Sequence, residues 1–140
     1  MNAQKKLLII DDDHDFVDGI RNILQSAGYE VDATYNPNDG FQALQTKTYD
    51  LLCLDVRMGR GAEGVLLARK MGQDPVLREI PVLMITGLRE QIAFTFPGQA
   101  VHPNFVNVDE LIEKPVEPEL LLERVKALLE AATQRKKKDK

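Results

Sequence analysis

Four strand-like runs in this chain end in polar residues that could do chemistry. These residues are Asp11, Asp12 and Asp13 after LLII, Asp55 after LLCL, Thr86 after PVLMI and Lys114 after ELIE. Carboxylates that share one site raise one another's pKa unless a cation compensates their charge, so a bound cation is implied. Magnesium suits such a set, because it takes one or two carboxylates, keeps several waters and bridges to phosphate oxygens. Lys114 would add a second positive charge and Thr86 a hydroxyl donor.

The elements that must position these residues form five similar units, each a strand-like run followed by a helix-like segment. The units begin near residues 7, 29, 49, 81 and 108. LLCLD and PVLMIT are continuously apolar, as central strands covered on both faces are. Strands that alternate with helices predict a parallel α/β sheet, with helices on both faces and a ligand site outside the carboxyl ends of the strands. All the polar residues named above fall at that edge.

Length and charge limit the classes of protein that are possible. A chain of 140 residues can bury a core without disulfides or structural metal, so one domain is expected. The net charge is −4, but RKKKDK at the end carries five positive charges and one negative, which leaves the rest at −8. An acidic body lacks the basic patch that nucleic-acid binding requires. We predict a domain over residues 1–134 and a basic, disordered tail over residues 135–140.

The cellular compartment follows from what the sequence contains. Cys53 is the single cysteine, which fits a reducing compartment and, within an apolar run, a buried thiol. No apolar run reaches the roughly 18 residues of a membrane span, and MNAQKK does not begin a signal peptide. A cytoplasmic protein without membrane association is therefore expected.

Together these motifs resemble the receiver domain of two-component response regulators, over about residues 5–130. The acidic pair Asp11-Asp12, then Asp55, Thr86 and finally Lys114-Pro115 occur in the order typical of that family and near its spacing. The resemblance implies a doubly wound, flavodoxin-like (βα)5 fold with a five-stranded parallel sheet in the order 2-1-3-4-5. It also implies a Lys114–Pro115 bond that is often cis, although the sequence leaves the isomer open.

The same resemblance implies a signalling function in a two-component system. Asp55 would accept a phosphoryl group from a sensor histidine kinase, a phosphotransfer protein or a small phosphodonor, while Thr86 and Lys114 would bind that group. The chain would not be an enzyme beyond self-phosphorylation and autodephosphorylation, and it would signal through a protein-interaction surface without a DNA-binding domain. Its downstream partner and oligomeric state stay open. The ligands of Mg²⁺ (or Mn²⁺) would be the side chains of Asp11, Asp12 and Asp55 and the backbone carbonyl of Arg57.

Three features depart from the family pattern. Leu111 stands three residues before the lysine, where the family has a switching Tyr or Phe. The loop VRMGRGAEG after Asp55 has a glycine for the usual proline and an extra residue before Glu63-Gly64, so we expect a more pliable loop. An insertion with aromatic residues, around 94–108, is predicted between the fourth and fifth strands. It would pack on the core or, as a second hypothesis, form part of a partner-binding face.

Two other functions are compatible with some of these residues. A receiver-like module could keep the site and act without phosphorylation, which Leu111 and the insertion favour. A haloacid-dehalogenase-like phosphatase could use Asp11, Asp13, Thr86 and Lys114, but it leaves Asp55 unexplained. Asp13, like the other acids early in the first helix, is explained by capping and by the helix dipole.

Overall fold

Strands and helices alternate along the chain as the hydrophobic pattern predicts. The computed structural model describes residues 4–56, 58, 63–87 and 109–138, with side chains through residue 135. The elements are β1 (Lys6–Ile10), α1 (His14–Ser26), β2 (Glu30–Thr34), α2 (Pro37–Thr46), β3 (Leu51–Asp55), α3 (Glu63–Gly72), a 3₁₀ turn (Leu77–Glu79), β4 (Val82–Thr86), β5 (Glu110–Glu113) and α4 (Pro118–Lys138).

All five strands are parallel and lie in the order β2-β1-β3-β4-β5. This order confirms the predicted doubly wound sheet. The chain leaves β1 toward β2 on one side and returns to β3 on the other, so the direction of winding reverses between β1 and β3. Ligand sites in such sheets lie at the carboxyl ends of the strands that flank this reversal. Here those strands lead into Asp11 and end in Asp55.

The core has two layers because successive side chains of a strand point to opposite faces of the sheet. In β1, Leu7 and Ile9 pack with α1 and α4, whereas Leu8 and Ile10 pack with α2 and α3. All four are fully buried, and burying each such side chain contributes roughly 1.5–3 kcal/mol. Cys53 lies in the first layer, where burial raises the pKa of its thiol to about 12. The predicted burial of this cysteine is confirmed.

Local signals set the ends of the helices that flank the site. Asp13 is the N-cap of α1, and its side chain accepts a hydrogen bond from the Phe16 N–H. Asn36 caps α2 in the same way, because its side-chain oxygen accepts a hydrogen bond from the Asp39 N–H. Pro37 occupies the first helical position. After α1, Gly28 has a φ of 99°, a left-handed conformation that favours glycine.

One predicted boundary differs from the structure, and one predicted segment lies outside the described residues. Helix α4 includes residues 135–138, which the sequence assigns to a disordered tail, so helical structure does not end at residue 134. The predicted insertion at 94–108 lies outside the described residues. Among the helices that the structure does describe, none combines the length and the apolar content needed to cross a bilayer.

Candidate functional site

Three carboxylates meet at the carboxyl ends of β1 and β3. One oxygen from each of Asp11, Asp12 and Asp55 lies within 4.8 Å of the other two. Asp11 and Asp55 are 1% and 5% exposed, whereas Asp12 is exposed to solvent. Two carboxylates therefore form the floor of the site and the third stands at its mouth.

Lys114 brings the predicted positive charge to this group. Its Nζ lies 3.2 Å from Asp11 Oδ2 and 3.9 Å from Asp55 Oδ1. Its backbone N–H donates to the Thr86 carbonyl oxygen at 2.7 Å, which places the residue directly beyond the β4–β5 pair. The Lys114–Pro115 peptide bond, whose isomer the sequence left open, is cis. Thr86 is buried, and its hydroxyl donates to the Gly87 carbonyl oxygen at 3.0 Å.

Burial raises the pKa of the Asp11 carboxyl, against the lowering effects of the Asp13 N–H and of Lys114. Oδ1 accepts the hydrogen bond from Asp13 at 2.9 Å. Oδ2 is buried and pairs with the Lys114 ammonium without the geometry of a directed hydrogen bond. A buried carboxylate oxygen with unused acceptor capacity, among hard oxygen donors, fits a magnesium ion.

Gly64 holds the first turn of α3 against the end of β3. A Cβ built on Gly64 would lie only 1.8 Å from the carbonyl oxygen of Asp55, which is backbone and cannot give way. The Gly64 N–H donates to the Val56 carbonyl oxygen at 3.0 Å. Position 64 therefore requires a glycine, because a side chain there would collide with the backbone of Asp55, against which α3 packs. The sequence pattern had given Gly64 no role in the site beyond its place in the loop.

The sequence pattern also does not predict the contacts of the aromatic rings on the α1 side of the site. Lys114 Nζ lies 4.2 Å from the centroid of the Phe16 ring. The ring of His14 stacks on that of Tyr35, with centroids 3.9 Å apart and planes within 5° of parallel. The position of Phe16 directly after the acidic run DDDHD is the one signal in the sequence for these ring contacts.

The remaining predicted positions fall outside or beside the site. Arg57 lies outside the described residues, so the structure does not test its carbonyl as a ligand. Leu111 lies in β5, half-buried, and packs against the core layer formed with α2 and α3. Asp13, which a phosphatase of the alternative class would need for catalysis, uses its carboxylate to cap α1.

The sheet order and the acidic site define a class of protein. The chain belongs to the response regulator receiver domain family, whose model matches residues 7–126. Two curated relatives are the phosphate regulon transcriptional regulatory protein PhoB of Pseudomonas aeruginosa, 30% identical over 125 residues, and the regulatory protein VanRB of Enterococcus faecalis, 29% identical over 124 residues. In each alignment the match covers 89% of this chain and 52% of the relative. The chain thus spans about half the length of the curated relatives it matches.

Solved structures share the same fold. A CheY-like response regulator receiver domain protein from Methanospirillum hungatei is 26% identical with a TM-score of 0.79, over 95% of this chain and 99% of that one. The receiver domain of a signal transduction histidine kinase from Syntrophus aciditrophicus is 27% identical with a TM-score of 0.75, over 91% of both chains. The chain is accordingly the receiver domain of a two-component response regulator, and its flavodoxin-like fold is confirmed.

Proposed function

We propose that this receiver accepts a phosphoryl group on Asp55 from a phosphohistidine of a sensor histidine kinase or a phosphotransfer protein, in a reaction that depends on magnesium or manganese. The convergence of two buried carboxylates, a third at the mouth and the Lys114 ammonium supports this proposal. Asp11, Asp12, Asp55 and the Arg57 carbonyl would hold the cation. Small phosphodonors could serve the same reaction, and autodephosphorylation would reverse its outcome.

The chemistry requires little beyond position and charge. A carboxylate oxygen of Asp55 forms a bond to phosphorus as the bond from phosphorus to the donor's leaving atom breaks. No general base is needed, because the attacking carboxylate carries no proton to remove. Charge develops on the phosphoryl oxygens in the transition state, and cationic groups fixed around them lower its free energy. When bound, a divalent cation would supply most of that charge at the site.

Lys114 and Thr86 would bind the phosphoryl group, both during its transfer and afterwards. The Lys114 ammonium, now 3.2 Å from Asp11 Oδ2, would exchange this contact for a phosphoryl oxygen. The Thr86 hydroxyl, which now donates to Gly87, would turn to donate to another. These exchanges would alter the surface around the site and so control binding of a protein partner. We place this activity in a cytoplasmic domain spanning residues 1–134, with the basic residues 135–140 outside its functional part.

Leu111 favours a second candidate, a receiver-like module that binds its partner without phosphorylation. An aliphatic side chain packed into the core layer of α2 and α3 lacks the ring that would report phosphorylation to the surface. Phosphorylation itself separates the two candidates, because only the first requires it.

The test is the intact mass of the chain after incubation with acetyl phosphate and Mg²⁺. One added phosphoryl group is expected, and it should be absent in Asp55→Asn and after chelation of the metal. Asp15→Asn, an equivalent loss of charge on exposed α1, is the matched control and should leave the adduct unchanged. A folded, Mg²⁺-binding chain that gains no mass would contradict phosphorylation, and an adduct that survives in Asp55→Asn would place it elsewhere.

A further inference from the structure

We propose that Phe16 is a positioning residue for Lys114 in the phosphorylation of Asp55. The face of its ring would hold the lysine ammonium at the place where phosphoryl oxygens arrive. This inference rests on the proposed function, since it assigns Phe16 a part in that reaction. It concerns a side chain of α1 that would act through the Lys114 ammonium, without touching phosphorus or the divalent metal ion.

Backbone geometry alone does not fix the Lys114 ammonium. The N–H of Lys114 is anchored to the Thr86 carbonyl oxygen, but the four-carbon stem of a lysine can rotate about each of its bonds. Two carboxylates attract the ammonium, at 3.2 Å for Asp11 and 3.9 Å for Asp55. Ion attraction has little directional preference, so it leaves the ammonium free to shift between them.

The Phe16 ring limits that freedom from a third side. Lys114 Nζ lies 4.2 Å from the ring centroid, well inside the distance of about 6 Å over which an aromatic face attracts a cation. The Lys114 side chain is only 26% exposed, and partial removal of water strengthens such an interaction. The ammonium therefore has an aromatic face on one side and carboxylates on the other.

The position of Phe16 is itself set by the acids of the site. Asp11 Oδ1 accepts the Asp13 N–H at 2.9 Å, and Asp13 Oδ1 accepts the Phe16 N–H at 3.1 Å. From Phe16 the contacts pass through its ring to Lys114 and return to Asp11 through Oδ2. These contacts form a closed circuit, so the first turn of α1 and the ammonium are positioned as one unit.

A purely structural role for Phe16 makes different predictions. The residue is partly buried and also packs against the core layer of α1 and α4, where a leucine could replace much of its apolar contact. A packing role requires apolar volume, whereas a positioning role requires the face of an aromatic ring. Phe16→Leu and Phe16→Tyr therefore separate the two roles.

The experiment measures initial rates of Asp55 phosphorylation by acetyl phosphate and Mg²⁺ in the full chain. Phe16→Leu should lower the rate about three- to tenfold, whereas Phe16→Tyr should retain most of it. In a Lys114→Met background, Phe16→Leu should lower the rate no further, because the cation that the ring attracts is gone. The matched control is Phe41→Leu, which removes a ring 3.9 Å from Lys70 Nζ on the helices α2 and α3 and should leave the rate unchanged.

A urea-unfolding cycle with the same variants reports the contact without phosphorylation. The stability loss from Phe16→Leu should be smaller with methionine at position 114 than with lysine. Equal losses in both backgrounds, or equally slow Leu and Tyr variants, would overturn the positioning role while leaving the proposed function intact. A folded unsubstituted chain that gains no phosphoryl group would instead overturn the proposed function, and the positioning role with it.

Discussion

The two ends of the sheet use aspartates in opposite ways. At the amino end, Asp50 and Asp109 each precede a strand and bind the first residue of the neighbouring strand. The Lys6 N–H donates to Asp50 Oδ2 at 2.8 Å, and the Asp50 N–H donates back to the Lys6 carbonyl oxygen at 2.7 Å. Val82 and Asp109 repeat the arrangement at 2.8 and 3.0 Å. Each carboxylate satisfies a backbone N–H at the start of a parallel strand.

At the carboxyl end, the acids are gathered rather than distributed. Asp11, Asp12 and Asp55 approach one another, and the Lys114 ammonium contacts two of them. Burial raises the pKa of Asp11, which means that the fold opposes the charge that the site needs. The amino end thus stabilises the sheet, whereas the burial of Asp11 at the carboxyl end costs stability, as is common at functional sites.

The largest effect is expected where the carboxyl end meets α3. Gly64→Ala would place a methyl group 1.8 Å from the Asp55 carbonyl oxygen, so the helix or the strand end must move. We expect a loss of about 3 kcal/mol in the free energy of unfolding, together with slower phosphorylation. Gly40→Ala is the matched control, since its methyl would meet the flexible end of Ile10, 2.3 Å away, and should cost less. Equal losses in urea unfolding would show that the two contacts are equivalent.

A smaller loss is expected at the amino end. Asp50→Ala leaves the Lys6 N–H without its charged acceptor between β1 and β3, which should lower the free energy of unfolding by about 2 kcal/mol. Phosphorylation of the folded variant should be unaffected. Asp18→Ala, on an exposed position of α1, should change stability by less than about 0.5 kcal/mol. If Asp50→Ala slows phosphorylation without unfolding, the two ends of the sheet are not functionally separate.

A third change tests the hydrogen bond between the Asp32 carboxylate and Tyr49, the residue that precedes Asp50. The Tyr49 hydroxyl donates to Asp32 Oδ2 at 2.6 Å, and this bond lowers the pKa of Asp32. Tyr49→Phe should cost about 1 kcal/mol at neutral pH, because solvent around the partly exposed carboxylate weakens the bond. A lowered carboxyl pKa stabilises the fold above the unfolded value of about 3.9, and this contribution is lost as the pH falls through the folded value. The difference between the two proteins should therefore shrink below about pH 4, and a difference that persists there would exclude the Asp32 bond as its source.

The sequence predicts the polar residues at the carboxyl end of the sheet far better than it predicts the contacts around them. Asp11, Asp55 and Lys114 could be located because strand ends are visible in the apolar pattern and parallel strands bring their ends together. Phe16 and Gly64 could not, because their contacts depend on how α1 rotates about its axis and how closely α3 approaches β3. Apolar spacing records which face of a helix is buried, but it does not record which side chain on that face reaches a lysine of another element.

The smallest expected effect is a gain in the free energy of unfolding rather than a loss, and it should depend on magnesium. Burial raises the pKa of Asp11 in the folded state. The Asp11 carboxyl therefore contributes fully to stability below its unfolded-state pKa, and this contribution is lost as the pH rises through its folded-state pKa. Asp11→Asn should therefore be more stable than the unsubstituted chain at neutral pH, by at most about 1 kcal/mol, and this gain should fade toward about pH 4. Saturating Mg²⁺ should reverse the order, because a cation that binds only the folded state stabilises the chain that retains the carboxylate. Thermal unfolding at several pH values, with and without Mg²⁺, measures both effects, and a gain in Asp11→Asn that Mg²⁺ leaves unchanged would exclude Asp11 as a ligand.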